Sequence, residues 1–290
     1  PFLFVQVVYG SFIYPTVVLM AVWWVSIFLL VMLAYYGLYV GDGAVRPDKR
    51  GPALLLVAVL LLFTAFLLTN MSSLMLRPDR WLAWFADPHG TVLNLGDPSL
   101  FPRYLHMVNA SLALGGLVMA WRARWSLKNP GADRNAAEER VRRGLAWFFY
   151  ASLVQPVLGL LFLFTLRPEV RALFLGGSAL HTGALLLVLS GLALALALAR
   201  KGELKPATLA VLGVVLLMVG VRDLVRDATL EPYIRAVTPA TDTIVMPHGQ
   251  TGAVALFLIC LLVALAVLVW MGRVLLKYAV RGNGAAGGED

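Results

Sequence analysis

Seven long apolar runs, almost free of charge, divide this chain and restrict what it can fold into: Ile13–Val40, Ala53–Met75, Tyr104–Trp121, Gly144–Leu166, Gly176–Ala199, Ala207–Val221 and Gly252–Tyr278. A helix crosses a hydrocarbon core of about 30 Å with roughly 20 mainly apolar residues, so each run reads as a membrane span. Water is a poor solvent for such a chain, because 60% of its 290 residues are hydrophobic and only 14% are charged, too few to coat a soluble domain. Runs such as Leu54–Leu68 and Leu185–Ala199 are continuous and lack the in–out alternation of barrel strands. The expected fold is therefore all-α: a polytopic bundle of seven transmembrane helices forming a single domain over residues 1–281, with the glycine-rich stretch 282–290 as a disordered tail.

Charge adds an expected orientation. The formal net charge of +8 does not call for nucleic acid, because the basic residues sort by loop. Sixteen of the 24 Lys and Arg follow runs one, three, five and seven, seven of them in the stretch Arg122–Arg143, while the other eight lie in the alternate loops beside acids. By the positive-inside rule the C-terminus is expected in the cytoplasm and the N-terminus outside. The stretch Asp133–Arg143 reads as a solvated helix leading into the fourth span. The one cysteine, Cys260, lies in the last run; with no C-x-x-C-H sequence, a covalently attached c-type haem and a cysteine-ligated cluster are both out of reach. No glycine-rich phosphate loop supports nucleotide hydrolysis.

All four histidines then fall on or near the outer side: His89 in the first long outer loop, His106 one turn into span three, His181 one turn into span five, and His248 just before span seven. Ionisable side chains in a span are costly, so His106 and His181, at similar depth on two helices entering from one face, are candidates for the two axial ligands of a haem iron. The alternative is that both are neutral imidazoles in the headgroup region. Ala110, Ser111, Gly115 and Gly116, and Gly176, Gly177, Ser178 and Gly183, suit either a flat macrocycle or close helix packing. At the end of span six, Arg222, Asp223, Arg226 and Asp227, followed by Tyr233 and His248, could supply the proton acceptor of a quinone site, or simply form surface ion pairs. Gln155 and Pro156 read as a polar helix contact and a kink.

The stretch 72–106 carries a family resemblance. Ser72–Pro78 reads SSLMLRP, Asp97-Pro98 follows in the loop, and Arg103-Tyr104-Leu105-His106 opens the next helix. This resembles subunit I of cytochrome bd-type quinol oxidases, whose segment N-S-W-M-Q-x-P is followed by N-P and by a basic-aromatic-aliphatic-His sequence; the resemblance covers about residues 72–166. It implies that His106 ligates a low-spin haem b, and that Met218, in Met218-Val219-Gly220, is the alternative to His181 as second ligand. Departures are equally informative: helix one holds no histidine and no span holds a buried acid, so an oxygen-reducing haem pair is not expected.

The expectation is thus a haem b membrane subunit of a respiratory complex in the cytoplasmic membrane of a bacterium or archaeon, in contact with lipid. It would exchange electrons between quinone and an extracytoplasmic c-type cytochrome or iron–sulfur subunit, without being an oxygen reductase by itself. The rival from another class is a cofactor-free membrane anchor or assembly subunit.

Overall fold

A computed structural model describes residues 13–41, 50–128, 131, 133–237 and 251–285. Every regular element among them is helical. The long helices are α1 (Ala21–Gly41), α2 (Arg50–Leu74), α3 (Leu100–Ser126), α4 (Arg134–Thr165), α5 (Ala179–Arg200), α6 (Leu204–Val237) and α7 (Thr251–Ala285). The first six are long and apolar enough to cross a membrane. Each leaves large apolar side chains uncovered, among them Met32, Leu55, Val118, Val157, Leu187 and Leu216. In water such surface would be untenable; against acyl chains it is solvated, and the hydrogen bonds of each backbone are closed within its helix. The molecule is a multi-pass membrane protein.

The chain divides into two compact units, and α1 to α6 lie in the larger one, residues 15–237. The other contains α7, whose described apolar stretch is Leu258–Val274 and whose Cys260 is free and exposed. This helix runs to Ala285, four residues into the stretch read as a tail; 286–290 lie outside the described residues.

Within the larger unit α1 packs on α2 and α2 on α3, while α3, α4, α5 and α6 form a closed ring of neighbours: α3 with α4, α4 with α5, α5 with α6, and α6 with α3. The tightest seam is between α3 and α4, and glycines make it so. A Cβ on Gly116 would lie 2.5 Å from the Phe148 backbone nitrogen, and one on Gly144 2.6 Å from that of Ala120. Small residues let transmembrane backbones approach, which replaces the hydrophobic drive that lipid removes.

Two helices outrun their apolar stretches. α4 starts at Arg134, where the Asp133 side chain accepts from the Ala136 amide, so the charged stretch before span four is one helix with it, as its composition suggests. α6 is the larger surprise, because the apolar run ends at Val221 and the helix continues to Val237. The charges suit it: Arg226 pairs with Asp223 (3.2 Å) three residues back and Arg235 with Glu231 four back, spacings that favour helix over loop, and Arg226 also meets the adjacent Asp227 (2.8 Å). Its 34 residues extend about 50 Å, so its last turns pass beyond a hydrocarbon core. Tyr233, expected in a loop, is therefore helical.

The long connection between α2 and α3 is a folded cap. It contains a 3-10 segment, Pro78–Phe85, and is tied to the start of α1 by Val22 N–H to Gly90 O (3.0 Å), Val92 N–H to Leu19 O (3.0 Å) and Trp23 Nε1 to Thr91 O (2.9 Å). A buried polar cluster anchors it to α2: Asn94 donates to Ser73 Oγ (2.8 Å), its amide to Asn70 Oδ1 (3.0 Å), and Ser73 donates to Asp97.

Candidate functional site at the histidine end of the bundle

Helix α3 presents Arg103, His106 and Asn109 at helical spacing towards α4. The Arg103 guanidinium lies over the Phe162 ring at 4.9 Å. One turn on, the His106 ring lies against Gly159, where a Cβ would stand in ordinary contact, 3.4 Å from Cε1 and 3.7 Å from Nδ1. One turn further, Asn109 donates to Ala151 O (2.9 Å) and to Gln155 Oε1 (2.5 Å), and Gln155 Nε2 donates to the His106 carbonyl (3.2 Å). Gln155 is the polar helix contact its sequence context suggests. The imidazole itself stays outside this network: among the described residues Nδ1 is buried without a hydrogen-bond partner, as is Arg103 Nε.

His181 reaches the same end by a different device. After α4 the chain runs through the short helix Pro168–Ala172 into a wide turn, Leu173–Gly177. Thr182 closes the turn, accepting from the Gly176 amide and donating to Leu173 O, both at 3.1 Å. Gly176 adopts φ of 108°, and a Cβ on Gly177 would sit 2.7 Å from the Ala172 carbonyl oxygen, so both glycines are required. Span five therefore restarts at Ala179 rather than at Gly176, with His181 in its first turn. The imidazole stands edge-on to Phe174 (centroids 5.0 Å, 86°), and its Nδ1 pairs with Ser178 Oγ at 2.9 Å. A hydroxyl on Nδ1 fixes the ring and leaves Nε2 as the free nitrogen.

Apolar packing is uneven between the two ends of the ring. The core cluster near the arginine-rich α3–α4 connection draws on all four helices, with Ala120 of α3, Phe148 of α4, Ala195 of α5 and Ala207 of α6. The cluster at the histidine end, with Leu163, Val170, Phe174 and Val225, draws on α4, α5, α6 and the short helix but not on α3. Towards α4, this part of α3 brings Arg103, His106 and Asn109, while its Phe101 and Tyr104 pack on Phe66 of α2. Helices α3 and α5, which carry the two histidines, are diagonal in the ring. Met218 shares a face of α6 with Val221 and Val225 and is half-buried.

The residues considered for a quinone are less concentrated. Arg222 and Asp223 are exposed on α6. Tyr233 donates to Asp79 Oδ1 (2.9 Å) in the cap, with Arg167 over its ring at 5.7 Å. His89 is exposed in the cap, and His248 lies outside the described residues. Arg77 makes hydrogen bonds of 2.8–3.2 Å to Asp79. This bonding, helped by Tyr233, holds the Asp79 carboxyl below the usual range. A depressed carboxyl contributes stability above its unfolded-state value and loses it as pH falls through the folded value. The tie between cap and α6 should therefore be intact at neutral pH and weaken below about pH 4. Limited proteolysis of the cap at pH 3 and pH 7 should show acid-enhanced cleavage, and Asp79→Asn should be cleaved at both; equal protection throughout would contradict the tie.

The structure brings Ser73 and Asp97, two of the motif residues, into direct contact, and sets Tyr104 with its hydroxyl on Leu62 O (3.1 Å). It also singles out Arg103, the basic residue of the Arg103-Tyr104-Leu105-His106 stretch, to which the sequence assigns no role of its own. A lone Arg three residues before a His at the start of a span was the available signal. Among the described residues no three His, Cys, Asp or Glu gather as a metal-binding group, whereas a haem iron asks the protein for only two axial ligands. Comparison with protein-family models, with curated proteins and with solved structures gives no match, so any functional reading rests on these residues.

Proposed function

We propose that this protein is a b-type haem subunit of a respiratory electron-transfer complex, exchanging electrons between quinol or quinone and an extracytoplasmic redox partner. The observation that carries the reading is the pair of histidines at one end of diagonal helices, beside an apolar cluster that draws no residue from α3. Bundle cores between facing helices are where helical proteins hold such groups. His106, with neither nitrogen hydrogen-bonded among the described residues, and His181, with Nδ1 held by Ser178, suit two axial positions; Met218 is the alternative to His181. The haem, when bound, supplies one-electron transfer at its iron. The chain's own contribution is to hold the imidazoles, to shield the site with Phe174 and Phe162, and to fix the depth of α3 through Asn109 and Gln155.

With sixteen of the 24 basic residues in the other set of loops, the histidine end faces outwards. Quinol oxidation there would release protons outside through Asp223, Tyr233 or His248, with Arg222 stabilising anionic intermediates of the substrate. A c-type cytochrome or iron–sulfur subunit would dock on the cap. The rival reading, a cofactor-free anchor, accounts for Asn109 and Gln155 as interhelical hydrogen bonds. It gives no role to the two histidines at the same end of the bundle.

The test is reduction by substrate. Anaerobic addition of a quinol to the purified chain should convert the haem spectrum from oxidised to reduced within seconds to minutes. A haem that dithionite reduces but no quinol does would exclude the quinol-linked role.

A further inference from the structure

The cap between α2 and α3 carries two large apolar side chains that no described residue covers. Leu82 and Phe85, in the 3-10 segment Pro78–Phe85, are 71% and 83% exposed. Side chains three apart eclipse in a 3-10 segment, so Asp79, Leu82 and Phe85 line one side of it as a ridge. The one charge on this ridge is committed, because Asp79 accepts from Arg77 (2.8 Å) and from Tyr233 (2.9 Å). Trp81 and Trp84, both half-buried, are interleaved with the apolar pair.

Three hydrogen bonds set the height of the cap relative to the bilayer. Trp81 Nε1 donates to the carbonyl of Leu74, the last residue of α2 (3.1 Å). Further along, Thr91 O accepts from Trp23 of α1 (2.9 Å), and the Asn94 amide donates to Asn70 of α2 (3.0 Å). Leu74, Trp23 and Asn70 all belong to spans, so the cap wraps the ends of α1 and α2 instead of standing above them in water. The 3-10 segment advances about 2 Å per residue, which puts Phe85 about 8 Å along from Trp81, a distance comparable with the headgroup layer beside a hydrocarbon core. At this end α2 and α3 are themselves bare, through Leu68 and Phe101. A short amphipathic segment at that height, with tryptophans beside its apolar side chains, has the composition of chains that lie in a bilayer interface.

We propose that Leu82 and Phe85 insert into the lipid leaflet beside the ends of α1 and α2, so that the cap is seated in the membrane by lipid as well as by its hydrogen bonds. Its partner is the acyl region of the leaflet, and no headgroup of particular charge is required. Nothing in this depends on the haem reading.

Spin labels at the two positions test it. In a Cys260→Ser background, single labels are introduced by Leu82→Cys and by Phe85→Cys into the full chain, which is reconstituted in phosphatidylcholine nanodiscs. Collision rates are measured with oxygen, which concentrates in lipid, and with a water-soluble nickel chelate. Val59→Cys, exposed in the middle of α2, gives the lipid reference, and Glu138→Cys, exposed on the charged start of α4, the water reference. The oxygen-to-nickel ratio at both cap positions should stand several-fold above that of Glu138→Cys and approach that of Val59→Cys. Both native side chains are exposed, so neither label displaces a packed residue, and each position decides by itself if the other variant fails to fold. A ratio matching Glu138→Cys at either position overturns the proposal and leaves the ridge in water, as a surface for a protein partner.

Discussion

His106→Ala abolishes the low-spin b-type spectrum of the purified chain and leaves its insertion and helix content intact. Insertion depends on the apolar spans and on backbone bonds closed within each helix, none of which involves the imidazole. The alanine removes a ring whose nitrogens make no hydrogen bond among the described residues, so α3 and α4 lose little; Gln155 binds the His106 carbonyl, which the substitution keeps. Loss of the band should be complete rather than partial, since a six-coordinate low-spin iron needs both axial ligands. His181→Ala should have the same effect and Met218→Ala none. Loss on Met218→Ala with His181→Ala unaltered would transfer the second ligand to α6. Full haem retention by His106→Ala would remove the residue on which the motif and the bundle geometry converge.

Gly144→Ala, like Gly116→Ala on the facing helix, is expected to be among the most destabilising small substitutions at the described glycines. Its methyl would meet backbone and not movable side chains: Ala120 N at 2.6 Å, Gly116 O at 2.7 Å and Ala120 Cα at 2.9 Å. The helices must part along the seam, and the cost should lie at or above the upper end of the roughly 1–3 kcal/mol typical of overpacking. Gly115→Ala is the matched control, one residue from Gly116 on the same helix, with nothing within 4 Å of its Cβ position. In detergent, thermal unfolding of Gly144→Ala should occur well below that of the wild type, and Gly115→Ala should match it. Equal midpoints for the two variants would mean that the α3–α4 approach is looser than described.

Spans were legible in the sequence because membrane insertion is written as local composition: an uninterrupted apolar run such as Leu54–Leu68 permits no other reading. Helix ends were less so. Hydropathy reports where the hydrocarbon stops, whereas α6 continues past Val221 with charges paired at helical spacing, and Gly176 is a turn because of its positive φ. The site was partly legible. His106, His181 and Gln155 stand out as polar residues in or near spans. The stacking of Arg103 on Phe162, the contact of His106 with Gly159 and the diagonal placement of α3 and α5 depend on which faces meet, and no periodicity in one helix reveals its neighbour. The contact between Ser73 and Asp97 links two motif pieces 24 residues apart, a pairing that only the folded cap displays.

The central claim is that two histidines at one end of the ring hold a b-type haem. A visible spectrum of the purified wild-type chain, air-oxidised and then dithionite-reduced, tests it most directly. The account expects a sharp low-spin b-type band on reduction at about one haem or more per chain. A chain that is fully inserted, folded and colourless, including after incubation with added haem b, would contradict it.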